Sequence, residues 1–234
     1  MSRRIRMLLL PAGVAVLAVA AIIPAFTASA ATAPPFGDNH LVSMFDGKTL
    51  QGWTADNPKN FDVKDGAIHT TGNARGWLYY NRQQVGTFRW IFQVRQVVGT
   101  HHEPTVLFWG TTNPLRDALS AVQFQPPDGY CWDYRPGKNN GCSGLYKHYG
   151  HPKMSLTVWN QCEVVGNQRT GVVKMACGAA GGKTTQVVQF TDKNAARVGP
   201  LAIQVHNAKI QDEYRNLYLE SPVVTAPDQF ITTQ

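Results

Sequence analysis

Between residues 41 and 219 the chain alternates apolar and polar residues in short runs, each cut off by Gly, Asn, Asp or Pro. A period of two sends successive side chains to opposite faces, which is the pattern of strands with one buried face. Runs at 61–63, 67–70, 76–80, 88–98 and 105–109 fit it, as do runs at 121–125, 156–165, 171–175, 185–190, 201–205 and 214–220. No long segment keeps a helical period, so helix is expected to be scarce. This many strands in about 180 residues must form two packed sheets or a closed barrel, because either arrangement buries one face of every strand. The chain is therefore expected to be all-β.

The breaks between runs carry their own predictions. Asp65-Gly66, between two strand runs, is a two-residue hairpin signal. Residues 125–151 hold three Pro, several Gly and two Cys, and read as one long loop that a disulfide would order. Residues 31–40, with Pro34 and Pro35, read as a linker to a domain at 41–220. The tail 221–234, with Pro222 and Pro227, is expected to lie over the surface or to be disordered.

The first thirty residues break the pattern. Arg3, Arg4 and Arg6 precede an apolar run over residues 7–26, and Ala28-Ser29-Ala30 offers a small-residue cleavage site, so this segment is expected to be a secretory signal. An uncleaved anchor is the alternative, and would be the only contact with a membrane. Pro11, Gly13 and Pro24 weigh against it. The segment carries three Arg and no acidic residue, so the formal charge of +7 falls to +4 without it. With no Lys/Arg run or basic stripe in the remainder, no nucleic-acid partner is expected. Oligomeric state is not readable.

An exported chain with four Cys favours disulfides over metal sites or thiol nucleophiles. Cys131, Cys142, Cys162 and Cys177 allow three connectivities. Pairing neighbours, Cys131 with Cys142 and Cys162 with Cys177, is preferred and would contribute roughly 3 kcal/mol per bridge by loop closure.

Gln204 and His206, two apart in a strand run, share one face. They lie in a closing stretch, Gly199 through Leu217, that resembles the end of the 3-keto-disaccharide hydrolase family. The opening Phe-Asp-Gly-Lys-x-Leu-x-Gly-Trp pattern at 45–53 is similar to that family's start, as are the element at 61–68, Gly144-Leu145-Tyr146 and Trp159-Asn160. Five motifs in order cover about 175 residues. The resemblance implies a concanavalin-like jelly roll of two antiparallel sheets, and action on glycosides whose sugar is a ketone at carbon 3. Such a ketone acidifies the hydrogen on carbon 2, so a base and an enolate stabiliser suffice to expel the group on carbon 1.

His206 is the candidate base or metal ligand, because imidazole titrates near neutrality and binds divalent ions. Gln123, Gln204 and Arg215 are the candidates to orient sugar hydroxyls or the developing oxyanion. Trp109, Trp132, Tyr134 and Tyr146 are the candidate sugar platforms, the loop residues Trp132 and Tyr134 above all. The family's Asn-Ser-Gly is replaced by Glu103-Pro104-Thr105, its strand-ending Arg by Trp109, and its Tyr-Glu-x-Gln by a stretch that keeps only Gln123. Glu103 is the candidate stand-in for the lost carboxylate. These departures set a non-catalytic carbohydrate-binding domain beside the enzyme as the alternative. His101-His102-Glu103 invites a divalent metal, but two adjacent His reach one ion only from a loop. No cofactor is fixed. A laminarinase-type carboxylate string and a Gly-x-Ser-x-Gly elbow are both absent.

Overall fold

The computed structural model describes residues 35–99, 102–112, 117–150, 154–224 and 226–233. The proposed leader, the first residues of the linker and His101 lie outside them. Among the described residues, fifteen antiparallel strands form two sheets.

The strands of the first half are β1 (Val42–Ser43), β2 (Trp53–Ala55), β3 (Phe61–Lys64), β4 (Ala67–Thr70), β5 (Gly76–Tyr80), β6 (Phe88–Val98) and β7 (Thr105–Phe108). Then come β8 (Val122–Gln125), β9 (Tyr130–Asp133), β10 (Tyr146–His148) and β11 (Asn160–Asn167). The last are β12 (Val172–Ala179), β13 (Thr185–Thr191), β14 (Ala202–Val205) and β15 (Gln211–Glu220). Helix is confined to short 3-10 turns at Pro35–Gly37, Pro58–Asn60 and Asp117–Ser120.

The large sheet runs β10-β13-β12-β11-β6-β15-β4-β3, with β1 added along β15, and the small sheet runs β2-β5-β14-β7-β8-β9. Their facing sides form the core. From the large sheet come Trp90, Phe92, Val164, Met175, Phe190 and Tyr214, and from the small sheet Leu78, Ile203, Val106, Phe108 and Phe124. Phe108 bridges the layers, with its ring 4.9 Å from that of Phe124 and 6.3 Å from that of Phe190. Burying one such ring contributes roughly 1.5–3 kcal/mol.

Asp65 and Gly66 both take positive φ, 49° and 76°, which lets a two-residue turn match the strand twist and close β3 onto β4. The segment 125–151 is not one loop. Tyr130 to Asp133 alternate exposed and buried and pair with β8, while Tyr146 to His148 pair with β13 of the large sheet. The segment therefore crosses from one sheet to the other. Cys131 bonds to Cys142 across this crossing, and Cys162 bonds to Cys177, its direct cross-strand neighbour on β12.

The outer face of the large sheet is covered by chain ends. Arg89, 1% exposed, donates to Glu163, Glu220 and the Gln229 carbonyl. Glu163 in turn accepts from the backbone N–H groups of Ile231 and Thr232. The outer face of the small sheet is covered in part, where Leu107 and Ala202 pack under Ala118, Leu119 and Ala121.

Candidate functional site

Alternation along the small sheet decides which side chains face outward. On β14, Ile203 and Val205 enter the core, so Gln204 faces out, directly opposite Trp77 of β5 and Thr105 of β7. On β8, Val122 and Phe124 enter the core and Gln123 and Gln125 face out. On β9, Cys131 is buried and Tyr130 and Trp132 face out, with Trp132 opposite Gln123.

This face floors a cleft of about 530 Å³. Gln123, Gln125, Tyr130 and Trp132 line it, joined by Arg75 before β5, Tyr134 and Asn139 after β9, and Tyr146 from β10. His102 and His206 close one end. The Cys131–Cys142 bridge holds the rim, because Cys131 and Gly141 also line the cleft.

Several buried polar groups on the outward side of the small sheet lack hydrogen-bond partners, and of these Gln123 lines the cleft. Gln204 is completely buried, and neither its amide nitrogen nor its amide oxygen has a hydrogen-bond partner. The amide oxygen of Gln123 and the indole N–H of Trp77 are also buried and unpartnered. Each such group costs roughly 1–3 kcal/mol until a partner arrives. The unpartnered oxygen of Gln123 offers the cleft an acceptor for a ligand hydroxyl.

The walls are better tied down. Trp132 is 39% exposed, and its indole N–H donates to Asn139 Oδ1 at 3.2 Å. Arg75 Nη2 donates to the Tyr134 hydroxyl at 3.2 Å, with the guanidinium 5.6 Å above the Tyr134 ring. His206 lies one residue past β14, its ring stacked on that of His102 at 3.7 Å. Its Nδ1 is 3.0 Å from Asn207 Oδ1, which can only accept.

Other expected site residues lie elsewhere. Arg215 belongs to β15 of the large sheet. Tyr214 points into the core, so Arg215 points out of the opposite side, where it donates to Gln93 Oε1 at 2.9 Å and lies 4.0 Å over Trp159. Trp109 is a core residue. Strict alternation would have turned it outward, but its φ of 54° rotates it inward against Phe88 and Phe108, and its indole N–H donates to the Gly86 carbonyl. Glu103 adjoins the histidine end without lining the cleft. Its carboxyl is pushed up to about 9 by burial and by contact with Asp128, so it is neutral at pH 7 and is not a base.

Arg75, His102, Gln125 and Asn139 were not singled out as substrate-binding residues from sequence. They come from separate stretches of chain, and only the sheet pairing brings them together. Among the described residues, the cluster of three metal-type ligands is Asp38, His40 and Glu220. It lies at the covered face of the large sheet, where the guanidinium of Arg89 reaches both carboxylates.

The family model of the 3-keto-alpha-glucoside-1,2-lyase-like domain matches residues 40–220. The chain belongs to this family. Curated protein sequences give no match. The 3-keto-alpha-glucoside-1,2-lyase-like domain superposes on a provisionally named glycosyl hydrolase from Parabacteroides distasonis with a TM-score of 0.53 at 13% identity, over 77% of this chain and 98% of the other. The carbohydrate-binding module CBM66 from Bacillus subtilis gives a TM-score of 0.53 at 10% identity, over 74% and 98%. Winged bean acidic lectin gives 0.50 at 8%, over 75% and 94%. These likenesses establish the lectin-like sandwich fold of the 3-keto-alpha-glucoside-1,2-lyase-like domain.

Proposed function

We propose that the cleft binds a glycoside and, when the sugar carries a ketone at carbon 3, eliminates the group on carbon 1. The observation that carries this reading is the composition of the cleft. The imidazole of His206, the guanidinium of Arg75 and the unpartnered amide oxygen of Gln123 line the cleft beside aromatic faces, and none of the described lining residues is Asp or Glu. Direct hydrolysis of an ordinary glycoside calls for two carboxyl groups flanking the bond. A 3-keto sugar needs less, because its ketone makes the hydrogen on carbon 2 acidic enough for one base.

In this reading Trp132 and Tyr130 stack against the sugar, while Gln123 accepts a hydrogen bond from one of its hydroxyls. Nε2 of His206 takes the proton from carbon 2. The electron pair moves onto the carbonyl oxygen, where Arg75 meets the enolate charge. The enolate then collapses, carbon 2 joins carbon 1 by a double bond, and the carbon 1 oxygen leaves with a proton from the imidazolium. Addition of water to that double bond restores a 3-keto sugar and completes a net hydrolysis. Secretion of the mature chain fits both a polysaccharide source and the two disulfides.

Running the reaction in D2O tests the route. Elimination and re-addition leave deuterium on carbon 2 of the product above the enzyme-free exchange, whereas direct hydrolysis leaves none. The absence of Asp and Glu among the described lining residues also supports a second reading, a binding domain without turnover. Saturable binding of an unoxidised glycan, with no release from any 3-keto form, would establish that instead.

A further inference from the structure

The space beside the cleft does not end at its two histidines. His102 also lines a second cavity of about 320 Å³, whose other walls are Val98, Gly99 and the turn from Asn207 to Ile210. Among its described lining residues there is no Trp or Tyr.

Local structure builds these walls. Val98 ends β6 and pairs with Gln211, the first residue of β15, so the turn between β14 and β15 stands beside it. The Ile210 N–H donates to the Asn207 carbonyl at 3.4 Å, and the Lys209 N–H donates to the Gly72 carbonyl at 2.7 Å, which ties the turn to the chain just past β4. Gly99 lets the Gln96 side chain lie against the backbone, since a Cβ there would come within 2.6 Å of it. From that position Gln96 Nε2 donates to the His102 carbonyl at 2.6 Å and to Asp212 Oδ1 at 3.0 Å, which holds His102 between the two cavities.

The two cavities differ in chemistry. The cleft offers amides, a guanidinium and aromatic faces, whereas the second cavity offers the side chains of Val98, Ala208 and Ile210, with the Asn207 amide and the Lys209 ammonium as its polar ends. Val98 is 47% exposed. Covering it with an apolar group is favourable, while a sugar would set hydroxyls against it without partners.

Position adds to composition. Asn207 lines the second cavity, and its Oδ1 is 3.0 Å from His206 Nδ1, while the His102 ring stacks on that of His206 at 3.7 Å. The histidine stack thus stands between the two spaces. In the elimination the imidazolium returns its proton to the carbon 1 oxygen, so the group on that oxygen lies beside the stack while the sugar ring lies toward Trp132 and Tyr130.

We propose that the second cavity is the subsite for the group that leaves from carbon 1, and that it selects an apolar, ring-sized aglycone over a second sugar. Its volume lies at the lower end of the range for small-molecule pockets, about 300–1,000 Å³, which is room for one ring system. The inference rests on the cleft reading, because it takes the sugar to lie on Trp132 and Tyr130.

The test uses unoxidised glycosides, which that reading has the full chain bind without turnover: methyl α-glucoside, phenyl α-glucoside and maltose. Titration calorimetry gives affinities, and NMR follows the Trp132 indole and the methyl groups of Val98 and Ile210. All three glycosides are expected to move the Trp132 signal. Phenyl α-glucoside alone is expected to move the Val98 and Ile210 signals, and to bind about tenfold more tightly than methyl α-glucoside. Ala208 is exposed, and Ala208→Trp fills the cavity, so it should erase this preference while leaving methyl α-glucoside affinity unchanged. Should Ala208→Trp fail to fold, Val98→Ser decides, because it removes apolar wall at an exposed site and should lower the preference about threefold. Phenyl α-glucoside that moves Trp132 but neither methyl signal, or a preference that survives these substitutions, overturns the subsite and leaves the cleft reading standing. Maltose binding more tightly than phenyl α-glucoside overturns the apolar selection. A Trp132 signal unmoved by every glycoside overturns the cleft reading and the subsite with it.

Discussion

The rings of His102 and His206 lie 3.7 Å apart and 16° from parallel at one end of the cleft. They come from segments about a hundred residues apart, joined because β14 pairs with β7 in the small sheet. Stacking fixes the plane of the His206 ring, and Asn207 Oδ1 lies 3.0 Å from its Nδ1. A ring held in one plane is pre-oriented, which is a condition for acid–base catalysis in a fixed site.

Two tryptophans expected to meet sugar should now behave differently. Trp132→Ala is predicted to weaken glycan binding roughly tenfold while leaving thermal unfolding nearly unchanged, since the ring is half-exposed and makes one side-chain hydrogen bond. Trp109→Ala empties a fully buried site and should cost about 3–5 kcal/mol of stability. Calorimetric titration with glycan and denaturant melts of both variants check the contrast.

Gln204 offers a trade between stability and binding. Because both ends of its buried amide lack partners, Gln204→Leu removes a desolvated polar group and should raise the free protein's stability by roughly 1 kcal/mol. The same change should weaken ligand binding. Urea melts and titration calorimetry on one preparation test it, and a destabilised variant with intact affinity would show that the amide is structural.

Stability should fall as pH rises from about 4 to about 9. Glu103 is pushed up from 4.5 to about 9, first by burial and then by Asp128, and Asp212 is pushed from 3.8 to about 7 by burial. In that interval the folded state holds more protons than the unfolded chain, so raising the pH favours unfolding. The contribution of each group is complete below its ordinary pKa and is lost through its folded one. Denaturant midpoints across this range should decline, and Glu103→Gln should flatten the upper part of the decline.

The tail should matter to the far side of the sandwich. Deleting residues 226–233 strips Glu163 of its backbone donors and Arg89 of the Gln229 carbonyl, leaving buried charges poorly paired. Loss of one partner from such a network costs about 3–5 kcal/mol. Comparing melts of the truncated and full chains checks this, and cleft binding measured well below the melt should be unaffected.

Local rules made much of the sandwich legible. Asp65-Gly66 announced the β3–β4 turn because few residue pairs take two positive φ values cheaply. The strands β9 and β10 were hidden because Pro and Gly around them suggested irregular chain, although Tyr130 to Asp133 do alternate. Gln123, Gln204, His206, Trp132, Tyr134 and Tyr146 do gather around the small sheet's outer face. Arg215 misled because the closing motif spans β14 and β15, neighbours in sequence that lie in different sheets. Arg75 carries no local signal and His102 only that of a possible metal ligand, so their place at the cleft follows from long-range strand pairing.

The most direct measurement is aglycone release from a 3-keto-glycoside and its unoxidised parent by the unmodified protein and by His206→Ala, with and without chelator. The account predicts release from the keto form alone and a fall in kcat of about 10²–10⁴ in the variant. The chelator arms show whether a metal takes part. Equal release from both sugars, or full turnover by His206→Ala, would contradict it.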